Sequence, residues 1–140
     1  MTVFSTILVA NRGEIAIRII RSAQKMGIKC VAVYVDADKN APYLAQADQS
    51  IKLETNYLDA DAILNAAQMT GSEAIHPGYG FLSENAKFAS SVEQSGLVWI
   101  GPSANVISQM GDKLKAKDIA KNAGLPTLSI ALKKSDINSI

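Results

Sequence analysis

Thr6-Ile7-Leu8-Val9-Ala10-Asn11-Arg12-Gly13-Glu14-Ile15-Ala16 decides the fold. Thr6 to Ala10 is an apolar run with β-branched members, the pattern of a strand covered on both faces of a parallel sheet. Asn11 to Glu14 breaks the run. From Ile15 the period changes: Ile15, Ala16, Ile19, Ile20, Ala23 and Met26 recur at helical spacing, and Gly27 stops the helix. Asn11 is expected to cap this helix, with Glu14 completing an arrangement like a capping box.

Working outward, the alternation repeats. Cys30 to Val35 reads as a second strand with Asp36 at its end, and Ser50 to Leu53 as a weaker third. Asp59 to Met69 is helical with Ile63, Leu64 and Ala67 inward. Ala74-Ile75 is a short strand. Asn85 to Gln94 is helical with Phe88, Ala89 and Val92 inward, and Leu97 to Ile100 is a further strand. Asn105 to Met110 and Lys113 to Asn122 are helices, the second broken by Gly124 and Pro126. Strands alternating with helices predict an α/β fold, an open parallel sheet with helices on both faces.

Composition fits this reading. The chain has 140 residues, 48% of them apolar, enough for one domain with a real core. A net charge of +1 offers no electrostatic case for nucleic acid or an anionic membrane as partner. The basic cluster Lys113, Lys115, Lys117 and Lys121 reads as a solvated helix face. The lone Cys30 opens an apolar run and reads as a buried structural thiol. With no membrane span and no leader pattern, a cytoplasmic location is expected.

In an open parallel sheet, ligands bind beyond the C-terminal strand ends where the strand order reverses. If the first and fourth strands are neighbours, the turns Asn11–Glu14 and His76–Asn85 face one crevice. The first turn is neither a dinucleotide fingerprint nor a P-loop, since Gly13 stands alone and no lysine follows. Asp36 is placed to meet a ribose or to serve as an ordinary loop residue. The second turn, His76-Pro77-Gly78-Tyr79-Gly80-Phe81-Leu82-Ser83-Glu84-Asn85, is denser. Its proline and glycines suit a tight turn. His76 and Tyr79 offer donors and a planar surface. Ser83 and Glu84 precede a helix, where a capping oxygen or an anion is favoured. Lys113, at a helix start, opposes the macrodipole and either is tolerated there or has a partner such as a phosphate.

These residues resemble a family. Val9 to Ala16 looks like the opening of biotin carboxylases, and His76 to Asn85 (HPGYGFLSEN) is similar to their most distinctive N-terminal motif. Trp99-Ile100-Gly101-Pro102 and Met110-Gly111-Asp112-Lys113 follow in order, so the resemblance runs from Thr6 to Thr127. It implies a Rossmann-like pre-ATP-grasp domain over residues 1–128. Residues 129–140 are expected to be a linker or the truncated start of a next domain.

The implied activity is that of a ligase. ATP and bicarbonate form carboxyphosphate, and the CO₂ is placed on biotin held by a carrier protein, with magnesium or manganese accompanying the ATP. The expected partners are the remaining biotin carboxylase domains, a biotin carboxyl carrier protein and a carboxyltransferase. Within this chain, Lys113 matches an ATP contact. By the same resemblance Tyr79 matches a residue near the biotin ring, in a turn shaped by Gly78 and Gly80, and Glu84 matches a position beside the cleft. Arg18 and Arg21 match positions at a homodimer interface. The resemblance places no catalytic residue and no metal ligand here, and the chain alone is expected to be inactive. Against the family pattern, the segment between Leu53 and Tyr57 is short, and Lys25 stands where an acidic residue is usual. The alternatives are a non-catalytic assembly module and the N-terminal domain of another ATP-grasp ligase.

Overall fold

The computed structural model describes residues 4–111 and 113–124, the side chains of 113–116 excepted. Its elements, in chain order, are β1 (Thr6–Val9), α1 (Gly13–Lys25), β2 (Lys29–Tyr34), α2 (Pro42–Gln46), β3 (Gln49–Lys52), α3 (Ala60–Met69), β4 (Ala74–His76), α4 (Ala86–Gln94), β5 (Val98–Trp99), α5 (Ala104–Gly111) and α6 (Lys113–Asn122). The chain divides into two units at Ser108/Gln109. The sheet and the helices that cover it belong to the first. In the second, Gly124 closes α6 at φ +79°, donating to the Lys121 carbonyl.

Period-2 alternation sends the strand residues into two cores. Ile7 and Val9 of β1, with Cys30 and Ala32 of β2, face Ile19, Ile20 and Ala23 of α1 and Tyr43 of α2. Leu8, Val31 and Val33 face the other way, onto Ile63, Ala66 and Ala67 of α3 and Phe88, Ala89 and Val92 of α4. Leu8, Ile20, Ile63 and Ile75 are fully buried, each worth roughly 1.5–3 kcal/mol against exposure. All pairings are parallel, in the order β3-β2-β1-β4-β5. The expected α/β sheet with helices on both faces is therefore present. The order runs outward from β1 to β3, then restarts on the far side of β1 with β4. β1 and β4 flank the switch point.

Several local expectations are corrected. Met26 is 65% exposed, because α1 ends at Lys25 and Met26 leaves the helical period. On α3 Leu64 packs against the core only partly buried, and Ala66 joins Ile63 and Ala67 in the fully buried stripe. Asn11 does not cap α1. Arg12 holds the N-cap position in extended backbone with no side-chain cap, and the capping box is absent because Asn11 is engaged elsewhere. Ser83 caps nothing, since the residues Phe81–Glu84 form their own 3₁₀ turn. Asn85 caps α4 by accepting the Phe88 N–H at 2.9 Å. The short α2, with Pro42 in its first turn, was not anticipated. Cys30 is buried as expected, and burial, with the Asp48 charge as a smaller cause, pushes its thiol up to about 11.

Candidate functional site

The ladder between β1 and β4 pairs Val9 with His76 and ends where the Ala10 N–H donates to the His76 carbonyl at 2.9 Å. Asn11, 2% exposed, stands next in line and extends the pairing with its side chain. Its Nδ2 donates to the Pro77 carbonyl at 2.8 Å and to the Tyr79 carbonyl at 2.7 Å. Its Oδ1 accepts the Arg12 N–H at 2.8 Å. The two turns expected to share a crevice are thus bonded to each other.

Gly78 has to be glycine for two reasons. Its φ is +68°, and a Cβ there would meet Asn11 Nδ2 at 2.6 Å. Its N–H donates to His76 Nδ1 at 3.1 Å. Burial holds the His76 pKa below its ordinary value, which favours the neutral ring that such an acceptor requires. Gly80 repeats the left-handed backbone, and Phe81, a non-glycine, sits at φ +46°. A bulky residue there is strained, and strain of this kind persists only where the surroundings over-determine it. The Phe81 ring packs on Tyr57 with centroids 5.3 Å apart. Between these fixed points, Tyr79 is 69% exposed.

Beside this turn lies a charged cluster. Arg12 Nε and Nη2 donate to the two Asp38 oxygens at 2.7 and 2.6 Å, a bidentate pair. Tyr57 donates its hydroxyl to Asp38 Oδ2. Tyr43 has one hydroxyl hydrogen, and it is shared between the Val33 carbonyl and the Tyr57 oxygen, each 2.9 Å away. Hydrogen bonds from Arg12 and Tyr57 hold the Asp38 carboxyl down to about 2. Burial raises the Tyr57 and Tyr43 hydroxyls, the first also through its bond to Asp38. Among the described residues no buried side-chain nitrogen or oxygen lacks a partner.

Of the residues singled out from the sequence, Gly78, Tyr79, Gly80 and Glu84 stand together on the connection from β4 to α4, Glu84 exposed at the end of its 3₁₀ turn. Arg18 and Arg21 are exposed on α1. Asp36 is exposed and pairs with Lys52 at 3.7 Å. Lys113 opens α6, but its side chain lies outside the described residues, as do residues 125–140. Sequence reading missed Asn11 as a clamp and Asp38, Tyr43 and Tyr57 altogether. A groove of about 410 Å³ lined by Thr6, Lys29, Asp48 and Thr70 opens at the opposite, N-terminal end of the strands, away from these turns.

The comparisons with known proteins agree with this arrangement. The family model of the biotin carboxylase N-terminal domain matches residues 3–107. The biotin carboxylase of Pseudomonas aeruginosa is 51% identical over 127 residues, 87% of this chain and 28% of that one. The propionyl-CoA carboxylase alpha chain of Ruegeria pomeroyi is 46% identical over 130 residues, 89% of this chain and 19% of that one. The biotin carboxylase domain dimer of Hydrogenobacter thermophilus 2-oxoglutarate carboxylase, a complex with MgADP, ADP and bicarbonate, superposes with a TM-score of 0.85 at 45% identity. It covers 91% of this chain and 29% of that one. The chain thus spans under a third of the length of these relatives. A match over most of its length and a shared fold establish that it belongs to the biotin carboxylase N-terminal domain family.

Proposed function

We propose that this chain forms one wall of the active-site cleft of a biotin carboxylase, the ATP- and bicarbonate-dependent ligase that carboxylates carrier-bound biotin. The observation that carries this reading is the presentation of Tyr79. A large aromatic side chain stands 69% exposed at the sheet's switch point, on a turn secured to β1 from below. Such a ring offers a flat apolar surface and a hydroxyl that donates and accepts, which suits a planar ureido group. Gly78 and Gly80 let the backbone follow the turn, and Glu84 stands beside the cleft. Lys113 is assigned to ATP, and Arg18 and Arg21 to a homodimer contact.

ATP, bicarbonate and biotin are substrates of this reaction, and magnesium or manganese accompanies the ATP to neutralise phosphate charge during transfer. Among the described residues no group of three His, Cys, Asp or Glu side chains could hold a metal ion, and no residue of this chain is given that role. The partners are the other domains of a carboxylase, a biotin carboxyl carrier protein and a carboxyltransferase. No helix of the described residues is long and apolar enough to cross a membrane.

The test is a chimera in which this chain replaces the matching N-terminal part of the Pseudomonas aeruginosa biotin carboxylase. ADP release that requires both bicarbonate and biotin supports the proposal. A chimera that melts cooperatively yet releases no biotin-dependent ADP contradicts it.

A further inference from the structure

Asn11 is buried, yet it caps no helix and bonds no other side chain. Both of its amide hydrogens go to carbonyls 66 and 68 residues away, and those carbonyls flank Gly78. We infer that Asn11 is a positioning residue: it fixes the backbone from Pro77 to Tyr79 and so sets the direction in which Tyr79 leaves the sheet edge. The catalytic consequence rests on the proposed biotin carboxylase reading, while the positioning itself does not.

The Gly78 N–H bond to His76 Nδ1 and the Phe81 ring on Tyr57 also hold the turn, but among the described residues Asn11 alone bonds the carbonyls on both sides of Gly78. The β1–β4 ladder has ended at Ala10 and His76, so no backbone pairing reaches the turn's outer carbonyls. Left-handed backbone at Gly78 and Gly80 leaves residues 77–79 without a repeating hydrogen-bond pattern, and the 3₁₀ turn begins only at Phe81. One nitrogen carrying two hydrogens takes both carbonyls at once. Aspartate has the same shape and no donor, and it would set a carboxylate against two carbonyl oxygens. Serine has one donor and a shorter reach. Glutamine carries the same group one methylene further, into the space that Gly78 leaves only because it lacks a Cβ. Asn11 Oδ1, held by the Arg12 N–H, fixes which edge of the amide faces the turn.

Tyr79 has no hydrogen bond of its own to hold it among the described contacts, and its ring is mostly in solvent. Its placement therefore follows its backbone, which Asn11 holds at the Pro77 and Tyr79 carbonyls. Gly78 is the counterpart of this arrangement, since any side chain there displaces the Asn11 amide.

Two measurements test this. In the 140-residue chain, labelled with ¹⁵N and ¹³C, couplings across the hydrogen bonds from Asn11 Nδ2 to the Pro77 and Tyr79 carbonyl carbons are expected, with slow exchange of the Asn11 amide hydrogens. Asn11→Asp is expected to move or broaden the Gly78–Phe81 amide signals while those of α3 stay in place. In the chimera, Asn11→Asp is expected to lower kcat by about tenfold or more, with KM for ATP changed less than about twofold, and Asn11→Ser is expected to fall between. A coupling-free, freely exchanging Asn11 amide overturns the inference, and so does an Asn11→Asp chimera with unchanged kcat. The couplings need no variant, so they decide even if Asn11→Asp does not fold. If the unsubstituted chimera releases no ADP, the proposed function fails, while the couplings still decide the positioning role.

Discussion

Tyr43 and Tyr57 are 1% and 6% exposed, whereas Tyr79, beside the same sheet edge, is 69% exposed. The two buried rings close a charged cluster whose members are hydrogen-bonded to one another: Arg12, Asp38, Tyr57, Tyr43 and the Val33 carbonyl. The exposed ring has its backbone secured and its side chain left open. The same residue type is thus used in two ways. The Arg12–Asp38 side spends its hydrogen bonds on holding the segment after β2 against the turn after β1. The His76–Gly80 side spends them on holding a turn whose aromatic side chain faces outward. A site for a ligand is expected on the second side, because there the buried polar groups serve presentation rather than closure.

Substitutions sharpen or break that contrast, and the largest effect belongs to the closed cluster. Asp38→Ala leaves the buried Tyr57 hydroxyl without its acceptor and Arg12 without its carboxylate. It is expected to cost about 2–3 kcal/mol in a urea titration, less than for a fully buried pair because Arg12 is half exposed. Gly78→Ala combines a left-handed φ with displacement of Asn11, and about 2 kcal/mol is expected by the same measurement.

Acid should act on the same cluster. The folded-state pKa of Asp38 is about 2, below its ordinary 3.8. Its contribution is therefore fully present above the ordinary value and is lost as pH falls from about 4 toward 2. Melting temperature should drop through that window, and Asp38→Asn should flatten the drop. An unchanged slope in Asp38→Asn would remove the ion pair from the account. Smallest of all is Tyr79→Ala, for which less than about 0.5 kcal/mol is expected, since an exposed turn side chain loses little packing. A loss of several degrees in Tm would instead make Tyr79 a packing residue.

Much of this was legible in the sequence for physical reasons. Strand runs such as Leu8-Val9 and Val31-Ala32-Val33 and the stripe Ile19-Ile20-Ala23 carry their burial in their spacing, so the sheet and its helices were readable. That the turns after β1 and β4 meet followed from a topological rule, and the Asn11 bonds join them. The role of Asn11 was misread because its sequence neighbourhood, with Glu14 following, imitates a local capping pattern. The real partners are 66 and 68 residues away, and no local pattern encodes them. Asp38 escaped notice for a related reason: its partner Arg12 is 26 residues distant, and an isolated aspartate after a strand looks like any loop residue. The helix α2 is only 5 residues long, too short to show a stripe.

The two kinds of tyrosine are expected to divide structure from ligand contact. The most direct measurement takes Tyr57→Phe and Tyr79→Ala in the chimera and records Tm and biotin-dependent ADP release for each. A crossed result is expected: Tyr57→Phe lowers Tm, with the rate near that of the unsubstituted chimera, and Tyr79→Ala lowers the rate with Tm unchanged. If Tyr79→Ala lowers Tm and spares the rate, the claim is contradicted.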